Sequence, residues 1–190
     1  MLEDVFVPAL RTITMKQTRS VALSGTAVHP DYPVFRPPLM SSFGFFICAP
    51  IMASPRGRWG ASPGRLAHAP RWAPPPAGHR PSGPTPTIQL RLAAAQMRFA
   101  ALRATILDAA VTTVHEASRV GSISEGQRIA NRRAQSCASR NAVEAVDILF
   151  EAMGAGGLFL SQDTQRYWRD AHAGVANFGV NWDAILIMCG

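Results

Sequence analysis

The chain has 190 residues, 47% of them hydrophobic, enough for one domain with a substantial core and too apolar for a wholly disordered protein. Its net charge of +7 points first to nucleic acid or an anionic surface, but the charge is uneven. Residues 1–84 hold nine Lys and Arg against Glu3, Asp4 and Asp31, whereas residues 85–190 hold ten against nine acids, so the larger part is nearly neutral. Cys48, Cys137 and Cys189 are widely spaced, with no CxxC pair and no Cys/His cluster, which predicts reduced thiols and no metal site. The opening MLEDVFVPAL places acids where a signal peptide needs positive charge, and no run approaches the roughly 18 apolar residues of a membrane span. A cytoplasmic protein without a membrane partner is expected.

In chain order, residues 1–40 carry two short extended patterns, DVFVPAL and VALSGTAV, followed by Pro33, Pro37 and Pro38, which hold off a helix until about Ser41. Residues 41–56 begin an apolar helix through Phe43, Phe46 and Ile47, which Pro50 and Pro55 should interrupt. Residues 57–84 hold seven prolines, four arginines and no acid, and no apolar period of 3.6 or 2. They read as a disordered basic linker, or as a helix and loop translated out of frame, since Arg/Ala/Pro/Gly enrichment is what a GC-rich gene yields in the wrong frame.

Residues 85–190 are predicted to be helical. Thr85 or Thr87 can cap a long helix with Pro86 in its first turn, and Ile88, Leu92, Ala95, Phe99, Leu102, Ile106, Ala110 and Thr113 recur at steps of three and four on one face. After a loop near Gly121, a second helix over 125–153 buries Ala142, Val146, Leu149, Phe150 and Met153, leaves Arg132, Arg133 and Arg140 mostly off that stripe, and stops at Gly154, Gly156 and Gly157. The two form an antiparallel hairpin whose faces need further helices. A single third helix is expected from Gln165 to Asp183.

The order PTIQLRLAAAQMRFAA, ILFEAMGAGGLFL, QRYWRDAHA resembles the C-terminal helical bundle domain of the acyl-CoA dehydrogenase fold. It is most similar to the flavin-dependent monooxygenase branch, which includes oxygenases of dibenzothiophene, indole-type and phenolic substrates. EDVFVPALRT looks like the last strand of that family's middle β-domain, and residues 29–57 like the passage into the first bundle helix, so the resemblance covers 1–56 and 85–190. It implies a mainly α fold preceded by a β-domain remnant, and a longer parent protein of which this chain is a fragment. It also implies FMN or FAD as cofactor, a flavin reductase as partner, a small aromatic substrate and a homotetramer.

The resemblance carries roles onto particular residues. Gly154, Gly156 and Gly157 would lie near the phosphate end of the flavin, where backbone N–H groups can meet an anion, beside the plain reading of a helix C-cap. Arg169 and Asp170 point about 100° apart on a helix, so they would hold two different neighbours at the site rather than each other. His172 is a proton-transfer candidate, although a lone helical histidine is also an ordinary structural residue. Asn177 stands where this branch usually has a histidine beside the oxygenated flavin or substrate; an amide can orient by hydrogen bonds but cannot take up a proton.

Two other functions are weighed. An acyl-CoA dehydrogenase needs a carboxylate base, often nine residues after the arginine, and here that residue is Phe178; no glutamate follows Glu151, which leaves Glu116, Glu125 and Glu144 on the earlier helices. A nucleic-acid binder could use Trp59 and Trp72 among the arginines of 57–84, but no helix or repeat presents them, which argues against nucleic acid as the partner.

Overall fold

A computed structural model describes residues 5–20, 24–59, 86–160 and 163–189. Among these residues are seven α-helices: α1 (Met15–Arg19), α2 (Ser24–Val28), α3 (Leu39–Trp59), α4 (Pro86–Val120), α5 (Glu125–Met153), α6 (Asp163–Val175) and α7 (Trp182–Cys189). Among the described residues there is no strand. The mainly α bundle is as expected, but the extended patterns of residues 1–40 do not form strands among the described residues. Val5–Pro8 are irregular up to a 3₁₀ turn at Ala9–Arg11, and part of VALSGTAV is helix α2. A lone extended segment has no neighbouring strand to take its N–H and C=O groups, so the local capping of Thr14 by Gln17 wins instead.

Helices α4 and α5 form the predicted hairpin. Three cross-pairs, Arg91–Glu151, Arg98–Glu144 and Thr113–Asn131, place the two helices antiparallel in a steady register. Gly121 closes α4 at φ 81°, a conformation costly for any residue with a Cβ. The Ser124 hydroxyl then accepts from Gln127 N at 3.2 Å and starts α5. Between them, Ala95, Leu102 and Ile106 of α4 meet Ala138, Ala142, Val146 and Leu149 of α5, a seam of small and branched residues that lets the backbones approach.

Helix α3 covers the other side of α5. It runs through Pro50 and Pro55 rather than breaking at them. Pro50, Ala49 and Phe46 lie on the solvent face, where water can take the bond that Pro50 cannot give to the Phe46 carbonyl, so the interruption is tolerated. On the inner face Ser41, Cys48 and Ile51 are buried at steps of seven and three, with Gly44 between the first two. The segment 57–84 lies outside the described residues beyond Trp59, and so does Thr85.

The third helix is not single. Helix α6 ends at Val175, a 3₁₀ turn occupies Phe178–Val180, and α7 restarts at Trp182. Gly174, Asn177 and Gly179 are poor helix formers, and two asparagines claim backbone donors for caps: Asn177 Oδ1 accepts from Gly179 N and Asn181 Oδ1 from Ala184 N, both at 2.9 Å. The break folds α7 back onto α5 and seats Val180 and Ile185 in the core. No helix of the described residues is long and apolar enough to cross a membrane.

Candidate functional site

Two of the predicted functional residues lie in distinct arrangements against α5: Asn177 on a turn held by its first half, and His172 on α6 against its second half. Helix α5 changes character along its length. Its later turns bury Ala142, Val143, Ala145, Val146 and Leu149, but its earlier turns bury Asn131, Gln135, Ser136 and Ser139. A polar seam on a core helix must be hydrogen-bonded or costs free energy. Here Asn131 Oδ1 meets Thr113 Oγ1 and Gln127 Nε2 at 2.9 Å each, and Gln135 Nε2 donates to Ser41 O at 2.9 Å. Ser139 Oγ donates to Gln135 O at 2.8 Å and lies 3.2 Å from Cys48 Sγ. Burial raises the pKa of the Cys48 thiol, and the hydrogen bond with Ser139 partly offsets this.

The first arrangement is the turn Asn177–Val180. Arg132 Nη1 of α5 donates to Gly179 O at 2.8 Å, and Ser136 Oγ, one turn further along, donates to Val180 O at 3.3 Å. Phe178 stacks on Phe43 of α3 with ring centroids 6.0 Å apart. A Cβ at Gly179 would come within 3.0 Å of Ile47 Cδ1 and 3.1 Å of Phe43 Cδ1, so the glycine permits this close approach to α3. Asn177 is exposed on the turn and its Oδ1 is engaged as the cap, which leaves the Nδ2 donors available. Beside the turn lies a pocket of about 160 Å³ lined by Ser139, Arg140, Val143, Val175, Asn181 and Trp182, among others. It is smaller than the roughly 300 Å³ at which ligand pockets begin, so a flavin ring would need further surface.

The second arrangement fastens α6 to α5. Asp147 Oδ1 accepts from Trp168 Nε1 at 2.8 Å and lies 3.4 Å from His172 Nε2, while His172 Nδ1 lies 2.9 Å from Trp168 O. The imidazole and indole centroids are 4.1 Å apart, and the indole packs in turn on Phe150. Both ring nitrogens of His172 are thus occupied by α5 and α6 themselves. The structure does not join His172 to Asn177: the first partners Asp147 and Trp168, the second Gly179.

Arg169 and Asp170 are both exposed. Asp170 pairs with Arg166 at 3.5 Å along the helix, and Arg169 has no ion pair or hydrogen bond among the described residues. Gly154 ends α5 at φ 57° with open space where a Cβ would stand, and Gly156 is half-buried. Gly157 is buried, and a Cβ there would lie 3.1 Å from Met153 Cβ. A Gly154–Leu158 3₁₀ turn therefore caps α5 while its first residues face solvent. Sequence reasoning missed Arg132 and Asp147. Arg132 lies off the apolar stripe of the sequence, and only its contact with a segment 47 residues later gives it a role. No group of three metal-ligating side chains occurs among the described residues.

Residues 71–182, more than half of the chain, match the family model described as acyl-CoA dehydrogenase, C-terminal domain. The chain belongs to this family. The match begins inside segment 57–84, outside the stretches 1–56 and 85–190 whose motifs carry the resemblance. The whole chain is 30% identical over 193 residues to the oxygenase component of an FADH(2)-dependent resorcinol hydroxylase of Rhizobium sp., covering 47% of that protein. It is 28% identical to the oxygenase subunit HsaA, a flavin-dependent monooxygenase of Rhodococcus jostii, covering 48% of it. The crystal structure of 3-HSA hydroxylase from Rhodococcus sp. RHA1 superposes with a TM-score of 0.82 at 27% identity over 98% of this chain and 47% of that one. The chain thus spans about half the length of the relatives it matches.

Proposed function

We propose that this chain forms the helical wall of the flavin and substrate site in the oxygenase component of a two-component, reduced-flavin-dependent monooxygenase acting on a small phenolic or other aromatic substrate. The observation that carries this reading is the similarity of the entire chain to a resorcinol hydroxylase oxygenase component that uses FADH(2). It favours FAD over FMN and a separate flavin reductase as partner. A bound reduced flavin would supply the oxygen-activating chemistry. The residues that would meet it are the Asn177–Val180 turn, with its available amide donors, and Arg169, whose guanidinium has no partner among the described residues and suits an anionic phosphate. His172, held on both nitrogens, fits a positioning part better than proton transfer.

Self-association fits the same reading. The outer face of α4, opposite its buried stripe, exposes Leu90, Met97, Leu107 and Val111, and Leu158, Phe159 and Leu160 are exposed after the glycine turn. Apolar faces of this extent favour an oligomer, for which the tetramer implied by the resemblance is our proposal. The dehydrogenase alternative is disfavoured because none of its candidate bases is directed to the turn. Glu116 accepts from Ser124 N, Glu144 pairs with Arg98 and Arg140, and Glu125 is exposed in the first turn of α5.

The test is anaerobic titration with reduced and oxidised FAD and FMN, followed by calorimetry and by the amide resonances of residues 177–181. With so small a pocket, dissociation constants weaker than about 1 μM are expected for this chain alone. Reduced FAD should nevertheless shift the turn resonances at high concentration. If no flavin in either redox state moves them, the reading fails.

A further inference from the structure

We infer that Arg132 is the positioning residue of the Asn177–Val180 turn, fixing through the Gly179 carbonyl which groups the turn presents, rather than adding to the stability of the fold. The functional consequence rests on the flavin-site reading above; the positioning itself does not.

Arg132 is half-buried, its guanidinium donates to Gly179 O at 2.8 Å, and it has no carboxylate partner among the described residues. Burial lowers its pKa from the ordinary value, the sign of a cation drawn out of water without an opposite charge to compensate it. One neutral carbonyl does not balance that loss, so such a group is a poor stabiliser, and an apolar side chain of similar length would serve the packing as well. What it does supply is direction. With Ser136 holding the next carbonyl, two successive peptide units of the turn are aimed at α5, while Gly179 N is taken by Asn177 Oδ1. The side chains of Asn177 and Phe178 are thereby turned outward, Phe178 with one face against Phe43.

The chemistry of the turn follows. Asn177 Oδ1 is occupied, so the amide offers only N–H donors, and the cation behind Gly179 adds positive potential. The turn is built to receive a hydrogen-bond acceptor bearing negative charge, such as a phenolate oxygen, and not to accept a proton.

The experiment compares Arg132→Met and Arg132→Lys with the unaltered chain by thermal unfolding and by amide hydrogen exchange at Gly179, Val180 and Asn181. For Arg132→Met the expected result is an unchanged or higher Tm together with exchange at Gly179 and Val180 faster by about tenfold or more, as local opening separates from global unfolding. Arg132→Lys, which keeps a cationic donor, should recover part of the protection. Exchange at the turn that stays within about twofold, or that rises only in step with residues 142–149 as Tm falls, would overturn the inference. Failure of Arg132→Met to fold would count against it too, by making Arg132 a stability residue, and Arg132→Lys would then report whether the turn responds at all. None of these readouts uses flavin, so they can fail without touching the proposed function, and the reverse.

Discussion

The two halves of α5 perform different work with the same backbone. From Ala142 to Leu149 the helix packs apolar side chains against α4 and α6, as any core helix does. From Asn131 to Ser139 it buries amides and hydroxyls, among which Asn131 Oδ1, Gln135 Nε2 and Ser136 Oγ reach particular partners on α4, α3 and the α6–α7 break. Apolar contacts are non-directional and tolerate small shifts, whereas a buried amide is favourable only at one distance and angle. The difference implies that the later half holds the bundle together and the earlier half sets the geometry of the Asn177 turn.

The largest effect expected is from Leu149→Ala in the apolar half. Leu149 is 2% exposed in a cluster with Ala95 and Ala145, against which Leu92, Phe99 and Ile148 pack, so a loss of about 3–4 kcal/mol is predicted from the cost of buried leucine cavities. Chemical denaturation should show a lower midpoint with unchanged slope, and the turn resonances of 177–181 should stay where they are in the folded state. Movement of those resonances without loss of stability would break the division between the halves.

A smaller and differently shaped effect is expected at Gly44. A Cβ there would overlap the Gln135 amide oxygen, which is buried and has no hydrogen-bond partner among the described residues. Gly44→Ala should therefore push α3 off the polar half or swing Gln135 away from Ser41 O, with a loss of roughly 1–3 kcal/mol by overpacking, less the gain from adding alanine in a helix. The pairing with Gln135 can be isolated: in a Gln135→Ala background, Gly44→Ala should lose much less, and equal losses in both backgrounds would refute the contact as the cause. Here the Phe43–Phe178 stack should loosen, in contrast to Leu149→Ala.

The same division explains what was legible in the sequence. Steps of three and four from Leu92 to Thr113, and the Ala142–Val146–Leu149 stripe, mark faces that apolar burial reads without knowing its partner, and the hairpin follows. Even there the local phase slipped by one residue, since Ala109 is buried and Ala110 only partly. The α6–α7 break carries its own signals in Gly174, Asn177 and Gly179, which outweigh the continuous helical pattern of Gln165–Asp183 only once Asn177 and Asn181 cap backbone donors. The tolerance of α3 for Pro50 depended on which face meets solvent. Arg132, Asp147 and Gln135 had no local signature at all. Each is defined by a partner tens of residues away or on another helix, and polar residues at helical spacing on α5 look like a solvated face until α3 and α7 are laid over them.

The smallest effect tests whether the polar half is closed to water, and it is visible only at high pH. Cys48 is buried, its Sγ lies 3.3 Å from Gln135 O, and burial raises its pKa above the ordinary value of 9.0. The direction of the linkage follows from that shift. Below pH 9.0 the thiol is protonated in both the folded and the unfolded chain and its contribution to stability is fully present. Above it, the unfolded thiol releases its proton while the folded one retains it, so stability falls as pH rises from there through the folded pKa. Lysine and tyrosine side chains also titrate in this range, so the quantity to measure is the difference between the chain and Cys48→Ser, which keeps a donor toward Gln135 O but does not titrate. That difference in unfolding free energy should be constant from about pH 7 to 8.5 and should shift in favour of Cys48→Ser by about pH 10.5. Iodoacetamide should meanwhile label the exposed Cys137 well before Cys48. A difference that stays flat across the range, with Cys48 labelled as fast as Cys137, would mean that α3 lifts from the polar half readily, and the contrast between a rigid seam and a merely packed one would be lost.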